Sequence, residues 1–70
     1  MEYLIVRFRE SRRVMTDGEY NGQTNTLLEL EAGTHTVSLE PPANFTPKSL
    51  VLLLRGTSAL APKEVTFDAA

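Results

Sequence analysis

Apolar and polar residues alternate along several short segments of the chain. The clearest run is Thr34–Glu40, in which His35, Val37 and Leu39 lie on one side and mostly small polar residues on the other. Because side chains alternate between the two faces of a β-strand, this pattern predicts a strand with one packed and one solvated face. The segment Tyr3–Arg9 alternates in the same way near the start of the chain.

Turn signals separate these segments at the spacing of a small all-β domain, about 8–12 residues. Asp17-Gly18 is one such signal, because glycine reaches a positive φ without steric cost. The pattern therefore predicts an all-β fold: a single small antiparallel β-sandwich of about six short strands over residues 1–70. The predicted strands are Tyr3–Arg9, Arg12–Thr16, Thr26–Leu30, Thr34–Glu40, Leu50–Arg55 and Lys63–Asp68.

Two of these strands lead to predictions about pairing and position. Tyr3–Arg9 and Arg12–Thr16 are so close in the chain that we expect them to form a hairpin. Leu50–Arg55 is apolar on both faces, which is typical of a central or doubly covered strand. A buried helix is the alternative for this segment, but the apolar run is too short to favour it. The polar segment 18–25 is predicted to be a turn region.

Composition narrows the range of functions. The 70 residues include no cysteine and one histidine, so disulfides, thiolate chemistry and a histidine-based zinc site are excluded. Seven basic against nine acidic residues give a formal net charge of -2, which predicts no general affinity for nucleic acid or anionic membranes. The N-terminal segment lacks the pattern of a secretory signal. We therefore expect a cytoplasmic location, unless the chain is part of a longer envelope protein.

A motif of turn and core positions lies between Asp17 and Leu39. Gly22-Gln23-Thr24-Asn25 forms a glycine–threonine step, and Leu30–Leu39 follows it with a glycine turn and an alternating strand. This arrangement resembles the PEGA domain family, in which a proline stands at the position of Asn25. The Pro-Glu-Gly-Ala run that names the family is absent. The resemblance implies a small β-sandwich module, of bacterial source, with no catalytic residues attached to the motif.

Four arginines form the one candidate binding site. They make up four of the seven basic residues, and the predicted hairpin would bring them together. Guanidinium groups suit phosphate or an acidic peptide. The favoured alternative is a solvated sheet edge that discourages aggregation. The candidate anion-binding residues are Arg7, Arg9, Arg12 and Arg13.

Other chemically distinctive residues favour structural roles. His35 has no nucleophile or orienting carboxylate in its neighbouring sequence, so we expect it at the rim of the core. The acidic segment that begins at Asp17 lacks the ligand pattern of a calcium loop and is predicted to be a turn. Phe45, Tyr20 and Leu60 lie in predicted loops, and we expect them to plug the open end of the sandwich rather than mark a partner site.

These observations favour a non-catalytic interaction or scaffolding module that uses no cofactor and no metal. Binding of an anion or nucleic acid through the four arginines is the alternative, and nucleic acid is disfavoured by the net charge. We expect a protein partner, which the sequence does not identify, and no membrane. A weak homodimer through open strand edges is also favoured, because a short chain without disulfides gains from added burial.

Overall fold

The computed structural model describes residues 1–70 and contains only strands and connecting segments. All six predicted segments form strands, so the prediction of an all-β sandwich is confirmed. Three further strands, Glu19–Gln23, Phe45–Thr46 and Asp68–Ala69, were not predicted. The strands are β1 (Glu2–Arg7), β2 (Arg13–Thr16), β3 (Glu19–Gln23), β4 (Leu27–Leu30), β5 (Gly33–Leu39), β6 (Phe45–Thr46), β7 (Leu50–Leu54), β8 (Lys63–Thr66) and β9 (Asp68–Ala69).

The strands form two main sheets and one short pair. The three-stranded sheet has the order β4-β1-β8, and the four-stranded sheet has the order β3-β2-β5-β7. β6 and β9 form the short antiparallel pair. The pairings are antiparallel except for that of β1 with β8, which is parallel. The predicted antiparallel architecture therefore holds with this one exception.

The predicted hairpin between the first two strands is wrong. β1 pairs with β4 and β8, whereas β2 pairs with β3 and β5 in the other sheet. The connection between them is fixed by two polar side chains instead. The Thr24 hydroxyl accepts from the Arg12 N–H at 2.9 Å and donates to the Glu10 carbonyl at 2.8 Å. The Asn25 side chain bonds both the N–H and the carbonyl of Phe8, at 3.2 and 2.9 Å.

The core lies between the two main sheets. Both sheets contribute side chains. Phe45 makes edge-to-face contacts with Phe8 and Phe67, at 6.3 and 5.7 Å between ring centroids. Burial of each large apolar side chain stabilises the fold by about 1.5–3 kcal/mol. The buried apolar residues are Leu4, Val6, Phe8, Val14, Leu28, Leu30, Val37, Leu39, Phe45, Leu52, Leu54 and Phe67.

The region predicted as turns contains strand β3, which is the edge strand beside β2. The polar sequence of this strand did not indicate it, because Tyr20 is its only residue of a type that favours strands. Gly22 lies in this strand with a φ of 72°, and a Cβ atom there would overlap Leu28 Cδ2. Only glycine meets both conditions at this position.

The prediction of a central strand at Leu50–Arg55 is also wrong. β7 pairs with β5 alone and is an edge strand of the four-stranded sheet. Leu52 and Leu54 point into the core, but Val51 and Leu53 are 69% and 56% exposed. Two apolar side chains of this strand therefore lie outside the core.

Candidate interaction surface

Of the four arginines singled out from the sequence, Arg7 and Arg13 lie in different sheets, and Arg9 and Arg12 lie in the connection between β1 and β2. Arg7 lies in the three-stranded sheet, and its Nε is 3.1 Å from Glu64 Oε1 on β8. Arg13 lies in β2 of the four-stranded sheet, where its guanidinium carbon is 5.1 Å from the centroid of the Tyr20 ring. Its Nε is 3.8 Å from Glu40 Oε2. The predicted pairing that would bring Arg7 beside Arg13 does not exist.

Arg9 and Arg12 share one carboxylate and one aromatic ring. Their nearest nitrogens lie 3.6 and 3.2 Å from Glu10 Oε1. Their guanidinium carbons lie 5.8 and 5.2 Å from the centroid of Phe8. Arg12 is only 9% exposed at its side chain, and its Nη1 also donates to the carbonyls of Glu40 and Pro42. Arg12 therefore holds the segment after β5 in place.

These contacts limit what the arginines can offer to an external anion. Each of the four has a carboxylate within 4.0 Å. A phosphate or acidic peptide would compete with a nearby carboxylate at every position. The geometry therefore gives no support to a shared anion site.

His35 has a carboxylate partner that the sequence did not suggest. Its Nδ1 lies 2.6 Å from Asp17 Oδ2, and its Nε2 lies 2.7 Å from the Glu31 carbonyl oxygen. The expectation that no carboxylate orients this ring is wrong, because Asp17 is distant in the chain and is brought close by the pairing of β2 with β5. The expected position at the core rim is correct, since His35 lies on the same side of β5 as Val37 and its side chain is 14% exposed.

The contacts of this pair favour charged forms of both groups. The hydrogen bond to the Glu31 carbonyl, followed by that to Asp17, raises the pKa of His35 above its ordinary value. Both partners are acceptors, so both ring nitrogens carry a proton in this arrangement. The Thr36 backbone N–H, followed by His35, holds the pKa of Asp17 below its ordinary value. The pair ties the start of β5 to the residue after β2, and the two hydrogen bonds of the ring go to Asp17 and Glu31.

Two further predictions concern metal ligands and loop residues. The structure contains no group of three or more acidic or histidine side chains arranged to hold a metal ion. Phe45 is buried and plugs the sandwich as expected. Tyr20 and Leu60 are 55% and 99% exposed, so the same expectation is wrong for them. The surface has no pocket. None of the structural elements is a helix long and apolar enough to cross a membrane.

The outer edge of β7 has no strand beside it. Thr36 directs its backbone N–H and carbonyl towards Asp17 on the β2 side. Backbone groups point alternately to the two sides of a strand. His35 and Val37, on either side of Thr36, therefore direct their backbone groups towards β7, where they face Leu52 and Leu50. The N–H and carbonyl groups of Val51 and Leu53 therefore point away from β5, where no other strand lies.

The other edge strands of the two main sheets carry charges that β7 lacks. Glu19 lies in β3, Glu29 in β4, and Lys63 and Glu64 in β8. Such charges discourage pairing with another chain. β7 has the sequence LVLLL and contains no polar residue. It presents unpaired backbone groups beside exposed apolar side chains, which is the composition of an edge that pairs with a further strand.

Comparison with known proteins identifies one family. A family model described as PEGA domain matches residues 7–57, which is more than half of the 70-residue chain. No curated protein and no solved structure matches the chain. The matched range includes the glycine–threonine step at Gly22 to Asn25 and all of β7.

Proposed function

The chain belongs to the PEGA domain family, and we propose that it is a non-catalytic interaction module that binds another protein through the open edge of β7. The partner adds to the four-stranded sheet next to β7. The rest of the sandwich holds this edge in an extended form, so little order has to be gained on binding.

The observation that carries this proposal is the unprotected edge of β7. Val51 and Leu53 offer two N–H donors and two carbonyl acceptors to a partner strand, and their side chains are 69% and 56% exposed. Main-chain hydrogen bonds to an added strand supply affinity, and alternate side chains supply specificity.

The test compares variants of the edge in the native lysate of the source cells. Val51→Pro removes one outward N–H, and proline is tolerated at an edge position of this kind. Val51→Thr has nearly the same shape and keeps the N–H, so it is the matched control. We expect the wild type and Val51→Thr to retain a protein that Val51→Pro loses. Equal retention by all three chains would refute the proposal.

A further inference from the structure

We propose that the segment that binds the β7 edge is extended, apolar at its centre and acidic at both ends. This inference rests on the function proposed above and specifies the chemistry of the partner. It follows from the distribution of charge around β7, which differs from that of the rest of the chain.

Two basic residues bracket the strand without internal partners. Lys48 lies just before β7 and Arg55 lies directly after it, and both are exposed. Neither forms an ion pair, whereas the four other arginines all do. Lys63 on β8 is the other basic side chain without an ion pair, so two of the three unpaired basic side chains flank β7 in a chain whose net charge is -2.

The surface between the two charges is neutral. Val51 lies opposite Thr36 and Leu53 lies opposite Thr34 on the outer face of the sheet. A strand that pairs with β7 therefore has only apolar or small uncharged side chains beside it on this face. A partner with β-branched residues at its centre packs on this surface, and carboxylates at its two ends lie near Lys48 and Arg55.

A second copy of the chain fits this edge poorly. In an antiparallel pair of β7 strands, Lys48 of one copy lies near Arg55 of the other. In a parallel pair, each basic residue lies near its own counterpart. Both orientations place like charges side by side, which is unfavourable. A strand with acidic ends meets opposite charges in either orientation.

Labelled peptides test the inference directly. The probe is a fluorescein-labelled peptide with alternating threonine and valine at its centre and aspartates at both ends. A matched peptide replaces every aspartate by lysine. Binding is measured by fluorescence anisotropy at low salt, about 50 mM, because screening weakens exposed charge pairs. The full chain is used, and circular dichroism checks that each variant keeps its β-type spectrum.

We expect the aspartate peptide to bind about tenfold more tightly than the lysine peptide, since two exposed ion pairs contribute about two- to fivefold each. The double variant Lys48→Glu/Arg55→Glu reverses this order. Val51→Pro weakens binding of both peptides, and the control Leu60→Ser, at a fully exposed loop position, changes neither. If Val51→Pro fails to fold, the charge-reversed variant still decides the question, since its two substitutions are at exposed positions.

The failure of this inference can be separated from that of the proposed function. Equal affinity for the two peptides, or no affinity for either, overturns the acidic-partner inference. The interaction module stands in that case if the lysate partner is still lost in Val51→Pro. A dimer in sedimentation velocity that Val51→Pro dissociates shows that a second copy is the occupant and also overturns the inference.

Discussion

Replacing Thr24 by valine tests how the chain passes from one sheet to the other. Thr24 is 1% exposed, and its hydroxyl bonds the Arg12 N–H and the Glu10 carbonyl. Valine has nearly the same shape, but its side chain neither accepts nor donates a hydrogen bond. Both backbone groups then lose their partner, which costs about 1–3 kcal/mol for each group that stays buried. The two groups are partly buried, so we expect a loss near the lower limit, about 2 kcal/mol in total.

That loss is large for a chain of this size, whose free energy of unfolding is about 3.5–10 kcal/mol by the usual average per residue. It corresponds to a fall in Tm of at least about 8 °C. The assay is thermal and urea unfolding followed by circular dichroism. Thr24→Ser keeps the hydroxyl and loses only a methyl group, which costs about 1 kcal/mol.

The exposed Thr26 supplies the second control, because its hydroxyl donates only to the Gln23 carbonyl at the surface. Thr26→Val is expected to change the free energy of unfolding by no more than about 0.5 kcal/mol. If Thr24→Val is as stable as Thr26→Val, then the hydroxyl does not fix the crossing between the sheets, and the account of the topology is wrong.

Three further outcomes follow from the structure. Gly22→Ala should destabilise the chain by at least about 1–2 kcal/mol in urea unfolding, because its φ is positive and its Cβ would meet Leu28; unchanged stability would contradict the left-handed backbone. The raised pKa of His35 stabilises the fold below pH 6.5, and this contribution is lost as the pH rises through the higher folded value. The lowered pKa of Asp17 stabilises the fold above pH 3.8, and this contribution is lost as the pH falls through the lower folded value. The Tm difference between the wild type and His35→Gln should therefore be largest between pH 3.8 and 6.5. A Tm difference that does not change with pH would argue against the pair. Labelled single-stranded nucleic acid should show no saturable binding at low salt, since the four arginines are ion-paired; binding that falls steeply with salt would favour the anion-binding alternative.

Local pattern predicted the strands well because alternation is a property of each segment. The run that contains Val37 and Leu39 forms β5, and both residues are buried. Pairing between strands is not local. A short connection favoured a hairpin of β1 with β2, but bonds from Thr24 and Asn25 across more than ten residues of chain hold that connection open.

The candidate site was predictable only in part. The apolar sequence LVLLL indicated burial on both faces, and nothing within the segment shows that β7 ends the sheet. Its position at the edge depends on which strand lies next to β5. The partner of His35 was hidden for the same reason, because Asp17 meets it only through the pairing of β2 with β5. The sequence grouped the arginines in one hairpin, and only the strand order shows that Arg7 and Arg13 lie in different sheets.

The central claim is that the outward backbone groups of β7 are free to bind a partner. Amide hydrogen exchange of the monomeric chain, read residue by residue by NMR, tests this most directly. We predict slow exchange for Leu52 and Leu54, whose N–H groups bond to β5, and fast exchange for Val51 and Leu53, which become protected when the aspartate peptide binds. Protection of Val51 and Leu53 in the free monomer would contradict the account, because the edge would then already be covered.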